Sequence, residues 1–345
     1  MRNILCVTLI ALLGGCTSTS VTEKYQDKRN DIINVKDKVI EFETGNVLIG
    51  SVSRLYMSNK CLLIADHKSV DKQIHIFNKN DFSYLTSIGN FGEGPEEITV
   101  MGCLAIDEAH HQLYVSDHAK QKIFSYDMDS VMVDSLYKPQ VKTAMNETLF
   151  PSEYQYINDT LSIAVLIKPT STSTFNQFLG RWNMNTGEMI PMKYTHPDIQ
   201  KKRITFAASE KAGIYVECYT RHDLMTICSL DGELLYNIYG PDWDGGNGNK
   251  LQSFGTVMIG NDKIFVSYCG EDYARDSFPT KILVFDLEGN YLKTLETGYK
   301  ISDCCYDSFN NRIILSLNDV VQFAYLDIDG IISVSYTHLT LPTIA

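Results

Sequence analysis

Short β-prone apolar runs recur along the chain, each closed by turn residues. Leu62-Leu63-Ile64-Ala65-Asp66 is the first sharp copy and Leu113-Tyr114-Val115-Ser116-Asp117 the second. Weaker copies start at Leu161, Ile214, Ile264 and Ile313, so successive starts lie 51, 48, 53, 50 and 49 residues apart. Each copy is followed by a further strand-like run, such as Ile74-His75-Ile76-Phe77 or Ile282-Leu283-Val284-Phe285. A turn (Asp231-Gly232, Glu288-Gly289, Asp329-Gly330) and a third run such as Glu233-Leu234-Leu235-Tyr236 come next. Turns of the Asp-Gly kind favour tight hairpins because both central residues can take positive φ.

A sheet of three or four antiparallel strands cannot bury both faces alone, whereas stacked sheets can. Six such units predict an all-β fold, a six-bladed β-propeller of four-stranded antiparallel blades over residues 36–334. A parallel α/β fold would need a long helical period between strands, and the pattern contains none. Val39-Ile40-Glu41-Phe42-Glu43 alternates apolar and polar ahead of the first unit. It is expected to pair as the outer strand of the last blade and so close the ring.

The two ends read differently from the body. Met1-Arg2 precedes an apolar run over residues 4–13, too short to span a bilayer, and Leu13-Gly14-Gly15-Cys16 follows. These four residues resemble the bacterial lipobox, which implies a signal peptide over 1–16 and lipidation of Cys16. Residues 17–35 are polar and mixed in charge, which predicts a flexible tether. The expected location is therefore the bacterial cell envelope, anchored by lipid to the outer membrane and facing the periplasm. Residues 335–345 contain no Asp, Glu, Lys or Arg. They look like a translated sequencing-adapter tail and are set aside as non-native.

Charge and cysteine content narrow the functional classes. Thirty basic against 42 acidic side chains give a net charge of −12, which disfavours nucleic acid as a partner. Twenty Tyr and 15 Phe argue against disorder. Beyond Cys6 and Cys16, seven cysteines stand mostly in apolar strand-like surroundings without C-x-x-C spacing. They are expected to be buried small hydrophobes, neither a disulfide scaffold nor a zinc site.

Ser87-Ile88-Gly89-Asn90-Phe91-Gly92-Glu93-Gly94-Pro95-Glu96-Glu97-Ile98 is similar to the inter-blade signature of NHL-like propellers. With the lipobox, the chain resembles the TolB-like six-bladed β-propeller lipoproteins of Bacteroidetes. The likeness spans residues 36–332 and is sharp in the first two blades; the stretch 150–192 lacks both the Gly-Pro linker and the Asp. What the resemblance implies is fold and location, since members of that family mostly have no assigned function.

In four-stranded blades, the loops between second and third strands emerge on the same face as the inter-blade linkers. That face collects Asp66, His67, Glu93, Asp117, His118, Arg221, His222, Asp242, Trp243, Asp244, Asp272, Tyr273 and Arg275. Rigid scaffolds often present binding groups on such loops. Asp66-His67 and Asp117-His118 occupy equivalent positions and could hold a metal, but an Asp there more often accepts backbone hydrogen bonds in its own turn. The Asp242-Trp243-Asp244 loop resembles a calcium loop yet lacks the third and twelfth ligands. G-x-S-x-G, H-E-x-x-H and P-loop motifs are missing from the sequence.

The expected function is thus a non-enzymatic binding module for an envelope protein, peptide or glycan, with no catalytic residue and no cofactor assigned. The rival is a propeller-type hydrolase or lyase with a divalent cation in the central channel.

Overall fold

The computed structural model describes residues 22–332, apart from residues 135, 201, 247–250 and 276. The proposed signal peptide with Cys16, the start of the tether and the 335–345 tail lie outside the described residues.

Six sheets follow one another in the chain; the strands of blades 1 to 3 are hydrogen-bonded in sequence order, and blades 4, 5 and 6 each add one strand from the N-terminal segment at the outer edge. The inner strands are Ser53–Met57, Met101–Asp107, Phe150–Asn158, Ile204–Ser209, Leu251–Gly260 and Ile301–Asp307, in blades 1 to 6. The recurrent apolar runs are the second strands, of which Cys61–Asp66 is buried throughout. Both faces of that strand are covered, so its apolar run is continuous rather than alternating. Leu62 and Ile64 pack toward blade 6, while Leu63 and Ala65 pack toward blade 2. Each of the six apolar clusters lies between two neighbouring blades, which is why one sheet alone has no core.

Val39–Glu41 pairs antiparallel with Phe323–Asp327, Ile40 opposite Tyr325, and completes blade 6. Phe42 then stacks on Phe82 of blade 1 with ring centroids 3.9 Å apart, sealing the seam.

The tether expected over 17–35 is corrected in its described part. Glu23–Tyr25 adds to blade 4 as a fifth strand, parallel to Leu234–Tyr239, and Ile32–Asn34 adds to blade 5, parallel to Tyr291–Glu296. Blades 4 and 5 therefore have five strands, not four. Between the two strands, Arg29 enters the seam of these blades. Its Nη1 donates to Asp223 Oδ1 at 2.7 Å, and its guanidinium lies 5.6–5.7 Å from the ring centres of Phe254, Tyr268 and Phe285. Polar composition concealed this belt, because it is held by backbone pairing and one buried charge rather than by an apolar stripe.

A short helix, Met128–Val133, interrupts blade 2 before its outer strand; Asp127 caps it by accepting from the Ser130 amide at 2.7 Å.

Candidate functional site

Most of the acidic groups singled out on the linker face are occupied in holding the loops. Asp66 accepts from the Gly50 and Lys68 amides at 2.7 and 2.9 Å. Asp117 accepts from the amides of Thr99, Val100, Ala119 and Lys120, at 2.8–3.2 Å. Each aspartate thus ties its own turn to the preceding linker. Lys120 completes the clamp: Nζ donates to the carbonyls of Gly92, Gly94 and Glu97 at 3.4, 2.6 and 2.6 Å. The glycine-rich signature is the loop wrapped around that ammonium, with Glu93 exposed on its outside.

His67 and His118 lean inward from these turns. Burial lowers the basicity of both rings, and each Nε2 is buried without a hydrogen-bond partner. Gly102 is small because a Cβ there would lie 2.5 Å from His118 Nε2. Trp243 is half-buried rather than an open platform, packed against His196, Tyr239 and His222 at ring separations of 5.0–5.9 Å. His222 Nδ1 lies 3.7 Å from Asp244, and burial lowers its basicity too. Asp242 docks through its amide on Asp223 Oδ2 at 3.2 Å. Asp272 and Arg275 are exposed in blade 5; Asp272 accepts from the Ala274 amide and Arg275 pairs with Glu271 at 3.0 Å. Arg221 is half-buried beside His222, and Tyr273 lies in the same blade 5 turn as Arg275. These groups spread over blades 1, 2, 4 and 5 and do not converge on one point.

The convergent polar groups lie in the central channel, a cavity of about 360 Å³ walled by all six inner strands. Three charged residues stand toward its linker end: Arg54 from blade 1, Glu153 from blade 3 and Asp303 from blade 6. Arg54 Nη2 meets Glu153 Oε1 at 2.9 Å, with side chains 39% and 37% exposed, so this pair faces the open channel. Asp303 is buried and built in: Oδ2 accepts from the Leu55 amide at 2.8 Å, Oδ1 from the Thr256 hydroxyl at 2.7 Å. Burial raises its carboxyl above the ordinary range, with Arg54 acting against that rise. Tyr56 and Gln155 also line the wall, Gln155 Oε1 accepting from the Ala208 amide at 2.6 Å. Burial pushes the Cys103 thiol up to about 12 and raises those of Cys304 and Cys305 well above normal, so none is a ready nucleophile.

Sequence reasoning missed this trio because its residues stand in three different repeats, none within a recognisable motif. A signal did exist: Arg54 and Glu153 both stand eight positions before the apolar run of their repeat, starting at Leu62 and Leu161.

Residues 18–176 match a protein family described as a 6-bladed beta-propeller, DUF5128. The chain is a six-bladed β-propeller. The family match ends within blade 3, the stretch where the linker signature also fades. No curated protein matches the sequence. Among solved structures, a presumptive exported protein from Bacteroides fragilis is 14% identical, with a TM-score of 0.55 over 85% of this chain and 87% of its own. A DUF4221 member from Bacteroides vulgatus is 11% identical, with a TM-score of 0.57 over 87% and 98%. A luciferin-regenerating enzyme is 8% identical, with a TM-score of 0.54 over 83% and 93%. This propeller scaffold serves an enzyme among others, so the function of this chain must be argued from its own site.

Proposed function

We propose that this propeller is an exported binding module of the bacterial envelope, tethered by lipid on Cys16, whose channel mouth receives a basic side chain of a peptide. The observation that carries the reading is the half-exposed Glu153 carboxylate beside Arg54, with Asp303 on the same wall. Glu153 puts a partly exposed carboxylate at the mouth of a channel in a chain of net charge −12. A Lys or Arg side chain can add to Glu153 without breaking the Arg54 pair, because that pair is made through Oε1 and the carboxylate carries a second oxygen. A narrow channel with low-dielectric walls strengthens that attraction.

The wall favours recognition over catalysis. Asp303 is committed to a backbone amide and a hydroxyl, Glu153 is ion-paired, and the lining thiols are held protonated. A channel-bound cation serving a hydrolase or lyase would have to compete with Arg54 for Glu153.

Calorimetric titration with short peptides containing Lys, acetyl-lysine or Glu, and with neutral oligosaccharides, tests the reading. Lysine peptides are expected to bind and to weaken about tenfold or more with Glu153→Gln, while Arg275→Ala leaves them unchanged. Equal binding by acetyl-lysine peptides, or by glycans alone, overturns it. Labelling cells with an alkyne fatty acid tests the anchor: incorporation is expected in the wild type and not in Cys16→Ser, and equal labelling of both refutes it.

A further inference from the structure

On the face opposite the linkers, the first hairpin turns of blades 2 and 3 meet. Among the described residues, one grouping of three side chains brings metal-ligating atoms within 4.8 Å of one another: Asp107, His110 and Asp159. His110 Nδ1 lies 2.8 Å from Asp107 Oδ2 and 3.9 Å from Asp159 Oδ1. His110 and Asp159 are open to solvent, with side chains 57% and 63% exposed, whereas Asp107 is buried at the base. Both carboxylates are held from behind by phenols. Tyr114 donates to Asp107 Oδ2 at 3.1 Å, and Tyr156 donates to Asp159 Oδ1 at 2.7 Å.

Blade 6 shows what the same turn needs for folding alone. There Asp307 replaces Asp107, and Asn310 replaces His110, donating from Nδ2 to Asp307 Oδ2 at 2.7 Å. The charges facing Asp307 are the cations Lys79 and Arg312. Blade 2 has instead an imidazole facing a second carboxylate from the next blade, and its nearby cation, Lys142, sits over the Tyr114 ring at 5.5 Å rather than on Asp107. An amide suffices to cap the turn, so the imidazole and the added carboxylate exceed what the hairpin requires.

We propose that Asp107, His110 and Asp159 bind one borderline divalent transition-metal ion, of which Zn²⁺ is the natural probe, across the seam of blades 2 and 3. One imidazole nitrogen with two carboxylate oxygens suits zinc or manganese better than calcium, which takes an all-oxygen shell. The ion takes the place of the hydrogen between Nδ1 and Asp107 Oδ2, and the neutral ring carries its single hydrogen on Nε2. Tyr114 and Tyr156 orient the carboxylates as outer partners. Because its ligands come from two blades, the ion acts as a cross-link between them.

The test is titration of tag-free protein with Zn²⁺, and separately with Ca²⁺, followed by calorimetry and thermal unfolding. Wild type is expected to take up one equivalent of Zn²⁺ and to melt higher with the ion than in EDTA. His110→Gln and Asp159→Asn, both at exposed turn positions, are expected to melt like wild type in EDTA and to lose about tenfold or more in Zn²⁺ affinity. His111→Gln, whose ring pairs with Asp129 instead, should bind as wild type. Undiminished uptake by His110→Gln and Asp159→Asn, no saturable uptake by wild type, or tighter binding of Ca²⁺ than of Zn²⁺ overturns the proposal.

Discussion

Replacing Arg29 with alanine removes the one charged side chain that the N-terminal belt inserts between blades 4 and 5. The Arg29 and Asp223 side chains are 7% and 0% exposed, and their contact is 2.7 Å. Deleting one partner of a buried pair leaves an uncompensated charge, at a cost of about 3–5 kcal/mol. The lost stacking over Phe254, Tyr268 and Phe285 adds on the order of 1 kcal/mol. For a domain of this size each kcal/mol moves the melting temperature by roughly 2–3 °C, so Arg29→Ala should melt on the order of 10 °C lower.

The effect has a pH signature. Burial already raises the Asp223 carboxyl, and Arg29 pulls it down. Without Arg29 it rises further, so the folded variant takes up a proton that the unfolded chain does not hold. A carboxyl raised in the folded state contributes stability below its unfolded pKa, and that contribution is lost as pH rises through the folded value. The deficit of Arg29→Ala should therefore be smaller near pH 4 than at pH 7. Scanning calorimetry of wild type, Arg29→Ala and Asp31→Asn at both pH values is the assay. Asp31 pairs with Lys293 on the surface at 3.1 Å, and its loss should cost under about 1 kcal/mol. If Arg29→Ala melts like Asp31→Asn, or its deficit grows in acid, the belt is not anchored as argued.

Two further outcomes follow from the same contacts. Lys120→Met, which empties the carbonyl cradle of the glycine-rich linker, should destabilise by about 1–3 kcal/mol and speed hydrogen exchange at residues 92–98, while exposed Lys68→Met does neither. All seven cysteines of the described residues are buried and unpaired, so a thiol reagent should label none of them in native protein and all of them in guanidinium; fast native labelling would show that a blade seam opens.

The propeller was legible in the sequence because its second strands are buried on both faces and so stand out as continuous apolar runs at a regular interval. Closure by Val39–Glu41 was legible from the alternation of Ile40, Glu41, Phe42 and Glu43, although Ile40 is exposed and Phe42 alone of these is buried. The belt was not, because Glu23–Tyr25 and Ile32–Asn34 contribute mainly backbone hydrogen bonds and have few buried side chains. Asp66 and Asp117 accept from backbone amides, the role that their position after the second strand favoured over metal binding. The channel trio was hidden by geometry: Arg54, Glu153 and Asp303 are far apart in sequence and meet only because their strands circle one axis. Even the register misleads, since the inner strand of blade 6 carries an irregularity between Ile301 and Asp303.

In the proposed function a ligand is held at the channel mouth by Glu153. A crystal structure of the protein with a bound lysine peptide tests it most directly. The ammonium is expected within hydrogen-bonding distance of Glu153, with the Arg54–Glu153 pair still formed. Peptide density on the outer rim near Trp243 and Arg275, with the channel filled by water alone, would contradict it.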